Sequence, residues 1–151
     1  MLRATTLALA LIGLWALAAT AKEPGLADTP PAEARGLVPY LGVIPACDEA
    51  SVLAQIQSEF EHRETSFWQS GLVIEGFGEP REIGFRSNGL SYIPRRFCRA
   101  QALLNDGHQR NVTYEIAEAL GFIGIGHGVT WCVTGLDRNH AFSPACKAAG
   151  P

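Results

Sequence analysis

The sequence is short of charge, and the charge it has nearly balances. Asp, Glu, Lys and Arg make up 18% of 151 residues, and the formal net charge is −3. A nucleic-acid partner or strong attraction to an anionic membrane is therefore not expected. Beyond residue 21 there is no long apolar run, so no integral membrane span is expected in the remainder. No C-x-x-C occurs, and none of the four cysteines sits in a tight ligand pair. His62, His108, His127 and His140 share no i,i+2 or i,i+4 spacing. Metal is thus not expected, nor any other cofactor. Internal repeats are also missing, and the only biased stretch is an N-terminal arm.

What is present begins with the first 21 residues. Arg3 supplies a short positive start, Ala4 to Ala18 is apolar, and Ala19-Thr20-Ala21 is a small-x-small cleavage site. The apolar run is shorter than the ~20 residues a span requires and ends in small residues. The segment reads as a cleaved secretory signal, residues 1–21, with the chain beginning at Lys22 after export. Residues 22–37, KEPGLADTPPAEARGL, lack periodicity and read as a flexible arm. The remainder, 38–151, is the size of one domain.

In an exported chain the even set Cys47, Cys98, Cys132 and Cys146 predicts two disulfides. Three pairings are open until the elements are placed. Val52, Leu53, Ile56, Phe60 and Phe67 recur at helical spacing and predict one amphipathic helix over 49–67. Asp48 is its expected N-cap and Gly71 its stop. Gln55, Glu59, His62, Arg63 and Glu64 fall on its expected wet faces.

From Leu72 the period shortens. Leu72–Phe77 predicts a strand broken by Gly76 and Gly78-Glu79-Pro80. Asn88-Gly89 predicts a hairpin between Ile83-Gly84-Phe85 and Leu90–Ile93. Asn105-Asp106-Gly107 suits a three-residue loop joining 97–104 to 111–119. That loop sets Ala100 opposite Val112 and Cys98 opposite Tyr114. Val129–Leu136 is the last strand, with Trp131 and Val133 on one face and Cys132 on the other. The expected fold class is α+β: one N-terminal helix on an antiparallel meander of about four or more strands.

This order decides the pairing. Alternate strands lie about 10 Å apart, whereas a disulfide needs Cα atoms within about 7 Å. Cys98 and Cys132 belong to alternate strands and point to opposite faces. Cys47–Cys98 and Cys132–Cys146 are therefore expected.

Candidate chemistry gathers in a few places. Asp137-Arg138-Asn139-His140 is the densest polar run in the C-terminal half. Asp137 and His140 are the catalytic candidates, as orienting carboxylate and base, with Arg138 and His140 as binding candidates. No nucleophile is placed by spacing. Tyr92, Arg95 and Arg96 are candidates for gripping an anionic group. Phe122 and Ile125, among the glycines of Gly121–Gly128, are candidates for an apolar contact surface. A dinucleotide loop is not expected there, because a β-rich segment comes next.

The stretch Gly121-Phe-Ile-Gly-Ile-Gly to Trp131-Cys-Val-Thr-Gly-Leu-Asp-Arg-Asn-His-Ala, with Arg96-Phe97-Cys98 and the Asn105-Asp106-Gly107 turn, resembles a segment of small uncharacterised exported proteins of alphaproteobacteria. The resemblance covers roughly residues 90 to 151. It implies a bacterial periplasmic setting and carries over no catalytic residue. The function expected is that of an exported, non-catalytic binding or interaction module, its partner an envelope protein or a small anionic ligand. A small hydrolase using Asp137 and His140 is the first alternative, and a disulfide-stabilised enzyme inhibitor the second.

Overall fold

A computed structural model of the chain describes residues 40–87 and 93–151. The signal-like segment, the arm, the Asn88-Gly89 turn and Tyr92 lie outside the described residues. The helix forms where the apolar spacing places it: α1 spans Ala50–Arg63 and buries Val52, Ile56 and Phe60. Its start differs from expectation. Glu49, not Asp48, is the N-cap residue, and no side chain caps it. The backbone makes the turn instead, with Glu49 N donating to the Ala46 carbonyl at 3.2 Å.

The end of the helix departs further. The last turn, Glu64–Trp68, is a π-helix, and Gln69 leaves it in the left-handed conformation at φ 49°, two residues before Gly71. A wider turn rotates the side chains beyond it about the helix axis. Phe67, expected on the buried stripe, is 72% exposed. Glu64, expected in water, is 0% exposed. The reason is in the spacing: Val52, Ile56, Phe60 and Glu64 form one unbroken i,i+4 row, so the carboxylate continues the buried face.

Four strands come after the helix: β1 Ile74–Arg86, β2 Arg95–Leu104, β3 Gln109–Glu118 and β4 His127–Val133. They form an antiparallel meander in the order β1-β2-β3-β4. The expected break at Gly78-Glu79-Pro80 is not a break. β1 runs through it, with a register shift between Gly78 and Arg81 and Glu79 at φ 51°. An edge strand tolerates this, because a proline there need not donate to a ladder. The expected pairing of Ile83–Phe85 with Leu90–Ile93 is also corrected. Phe85 faces Arg96 and Gly84 faces Phe97, so the returning strand begins after Pro94. The β2–β3 register is the one expected, with Ala100 opposite Val112 and Cys98 opposite Tyr114.

The helix lies on one face of the sheet, over Ala100, Ala102, Val112, Tyr114, Ile116 and Val133. The two alanines leave room for Phe60 and Tyr114. The expected disulfides are present: Cys47–Cys98 with Cα atoms 5.7 Å apart, and Cys132–Cys146 with 5.6 Å. The first ties the segment entering α1 to β2. Beside it the Tyr114 hydroxyl donates to the Cys47 carbonyl at 2.6 Å. Burial, helped by the nearby Asp48 charge, pushes the Tyr114 phenol up to about 12. The second disulfide, with Ala149 and Phe142, forms a small apolar cluster on the opposite face. It folds the tail over β4 and fixes the loop between them.

Candidate functional site

The buried carboxylate of Glu64 organises the junction between the helix end and the 137–140 loop. The Ser70 hydroxyl donates to Glu64 Oε2 at 2.6 Å. Arg138 Nη1 stands 2.8 Å from the same oxygen, an ionic contact out of hydrogen-bond line. Glu64 Oε1 is buried without a hydrogen-bond partner among the described residues. An ionised side chain is buried at such a position only when it is paired. Arg138 supplies the pairing, and its guanidinium also lies 5.0 Å from the centre of the Trp68 ring.

A second arginine–tryptophan stack stands next to the first. The Arg63 guanidinium lies 4.0 Å from the centre of the Trp131 ring, and Phe60 packs on the same indole at 5.9 Å. The indole N–H donates to Glu59 Oε2 at 2.7 Å, while Gln55 donates to Glu59 Oε1 at 2.8 Å. Burial holds the Arg63 guanidinium below its ordinary pKa, with Glu64 and Asp137 opposing that shift.

The two carboxylates that act on Arg63 are directed elsewhere, as is Glu59 one turn earlier in the helix. Glu59 holds Trp131, Glu64 is paired with Arg138, and Asp137 accepts from the backbone amides of Ala141 at 3.0 Å and Phe142 at 2.8 Å. No acidic group among the described residues lies within ion-pair distance of Arg63, and its Nε is buried without a hydrogen-bond partner. An open groove of about 390 Å³ runs past it, lined by Arg63, Phe67, Trp68 and Asn139. The groove is walled by aromatic surface with one unspent cation, the usual make-up of a small-ligand site.

The expected candidates are dispersed by the fold. The Asp137 carboxylate caps the turn after it, and the hydrogen bond between Asp137 and His140 runs from the His140 amide to the Asp137 carbonyl, at 3.0 Å. His140 is exposed, with φ 54°, on the rim of a second hollow of about 420 Å³ that also touches Asp137 and Arg138. Arg95 is paired with Glu115, and Arg96 with Glu82. Adjacent strand residues point to opposite faces, so these two arginines do not converge. Phe122 and Ile125 are 85% and 77% exposed on a loop far along the chain from the groove. Among the described residues no cluster of three or more His, Cys, Asp or Glu is placed to hold a metal ion.

The sequence reasoning passed over Arg63, Glu64, Phe67, Trp68, Ser70 and Trp131 as site residues. The i,i+4 row ending in Glu64 was the available signal. A carboxylate on a buried stripe requires a cation, and Arg138 is the one the chain brings to it. Comparison with known proteins finds no matching family model, no matching curated protein and no matching solved structure.

Proposed function

We propose that the protein is an exported, non-catalytic binding module whose ligand occupies the groove beside Arg63. The observation that carries this is the half-buried Arg63 guanidinium, stacked on Trp131 and with no acidic partner at ion-pair distance among the described residues, at an aromatic groove. A guanidinium so placed favours a carboxylate or similar anion. Phe67 and Trp68 favour an apolar body next to that anion. The ligand class is therefore an amphipathic anion, such as a peptide terminus ending in an apolar residue. Asn139 closes one side, on a loop held by the neighbouring Arg138–Glu64 pair and by the Cys132–Cys146 disulfide.

The signal-like first 21 residues support export, and the resemblance to exported alphaproteobacterial proteins supports a periplasmic setting. The two disulfides are compatible with it. No helix among the described residues is long and apolar enough to cross a membrane.

Capture from envelope extract tests the reading. The exported chain, expected by intact mass to start at Lys22, should retain a partner or ligand. Arg63→Ala should lose that retention by about tenfold or more, the worth of one charge-assisted hydrogen bond. Phe67→Ala should weaken it too. Phe67 is exposed, so its removal should leave stability within about 0.5 kcal/mol. Equal capture by wild type and both variants would remove the groove from consideration.

A further inference from the structure

We infer that the loop Gly121–Gly128 is a lipid-contacting tip, which seats Phe122, Ile123 and Ile125 in the interfacial layer of a bilayer. This rests on a different part of the molecule from the Arg63 groove and stands or falls separately. Phe122, Ile123 and Ile125 are 85%, 81% and 77% exposed. Large apolar side chains exposed to that degree within four consecutive residues stand clear of the body of the protein. Leu120 is half exposed beside them. Leu41 and Val43 continue the apolar surface from the N-terminal side. Both Glu118 oxygens accept from the Leu41 and Gly42 amides, at 2.8 and 2.7 Å, and so hold that segment against the loop base. Val43 lines a hollow there with Ala119, Gly126 and His127.

The tip is constructed to keep this shape. At its neck only glycine fits: a Cβ on Gly121 would stand 2.0 Å from the Ile125 carbonyl oxygen, and one on Gly128 would stand 2.3 Å from that of Leu120. Ile123 is held at φ 56°, ψ 31°, a left-handed conformation that a β-branched residue rarely adopts. Strain of that kind persists where the surroundings over-determine it, and it concentrates at functional positions. The tip also bonds its own backbone, Gly124 N to the Gly121 carbonyl at 3.0 Å and Ile125 N to the Phe122 carbonyl at 3.1 Å. These two bonds leave fewer free amides to be solvated in the interfacial layer.

The chemistry selects the occupant. Residues 119–126, ALGFIGIG, carry no charge, and the nearest carboxylate, Glu118, is engaged. A second copy of the chain is disfavoured by area. A stable protein interface takes about 800 Å² per partner, whereas the three side chains that form the tip itself offer roughly a few hundred, and Leu120, Leu41 and Val43 lie at its base. A fluid surface conforms to a narrow tip, whereas a rigid one meets it at a point. With no basic residue in 119–126, binding should depend little on lipid charge or on salt.

Flotation of the purified exported chain, its N-terminus assigned by mass, with phosphatidylcholine vesicles tests the proposal. The wild type should partition to these and to vesicles containing phosphatidylglycerol within about threefold of each other. The double variant Phe122→Asp/Ile125→Asp should lose partitioning by at least about tenfold. Both positions face solvent, so the variant should fold. Phe122→Trp should shift its emission to the blue when vesicles are added. Failure of the wild type to float would overturn the proposal. So would undiminished flotation of the double variant, or a concentration-dependent dimer that the same substitutions dissociate in the absence of lipid.

Discussion

Replacing Arg138 by alanine should destabilise the fold by about 3 kcal/mol, although the residue is 29% exposed and lies on a surface loop. The cost comes from the other partner. Glu64 is fully buried, and without Arg138 its carboxylate keeps one hydroxyl donor, Ser70, and, among the described residues, no cation at ion-pair distance. Breaking a buried pair by removing one partner typically costs about 3–5 kcal/mol. The exposure of Arg138 places this case at the lower end. Replacing both residues should cost less than the sum of the single changes, and Glu64→Leu with Arg138→Met should recover much of the loss, because the orphaned charge is gone. His140→Ala, two residues along the same loop, should change stability by less than about 0.5 kcal/mol. Urea unfolding of the set gives all the values. A cost for Arg138→Ala as small as that for His140→Ala would show that Glu64 does not depend on its partner.

The disulfides should separate by loop length. Cys47–Cys98 closes a separation of 51 residues and Cys132–Cys146 one of 14. Loop-closure entropy assigns them about 4 and about 3 kcal/mol respectively. Cys47→Ser/Cys98→Ser should therefore be the more damaging pair. It should be worse still if the loosened Cys47 carbonyl loses the Tyr114 hydroxyl. Cys132→Ser/Cys146→Ser should spare more stability but weaken ligand capture, because it frees the loop carrying Arg138 and Asn139. Thermal unfolding with parallel capture measurements distinguishes the two. The reverse order of midpoints would mean that the tail, not the helix attachment, limits the fold.

Much of the architecture was legible because strand parity and helical spacing are strict. One loop at 105–107 fixed which residues of β2 and β3 face each other, and those faces fixed the cysteine pairing. Two kinds of feature were not legible. The run through Glu79-Pro80 depends on β1 being an edge strand, a property of the finished sheet. The π-turn is the second: nothing local asks Glu64–Trp68 to widen, and the i,i+4 row already places Glu64 on the inner face, where Arg138, 74 positions away, meets it. The site was missed for the same reason. Its residues come from the helix end, β4 and the tail loop, and they meet only in the fold. The Asp137–His140 run drew attention to the right loop, but Asp137 serves the backbone there, Arg138 pairs with Glu64, and Asn139 faces the groove.

Trp68 and Trp131 are the only tryptophans beyond the signal-like segment, which holds Trp15, and each carries one of the two arginine stacks. Intrinsic fluorescence therefore reports on the groove directly. Titration of the exported chain with N-acetyl-L-phenylalanine, a carboxylate beside an aromatic body, should give a saturable change in emission. The corresponding amide should bind at least about tenfold more weakly, and Arg63→Ala should abolish the difference between them. An acid and an amide that titrate alike on the wild type, or a response unchanged by Arg63→Ala, would contradict the assignment of Arg63 and its groove as the ligand site.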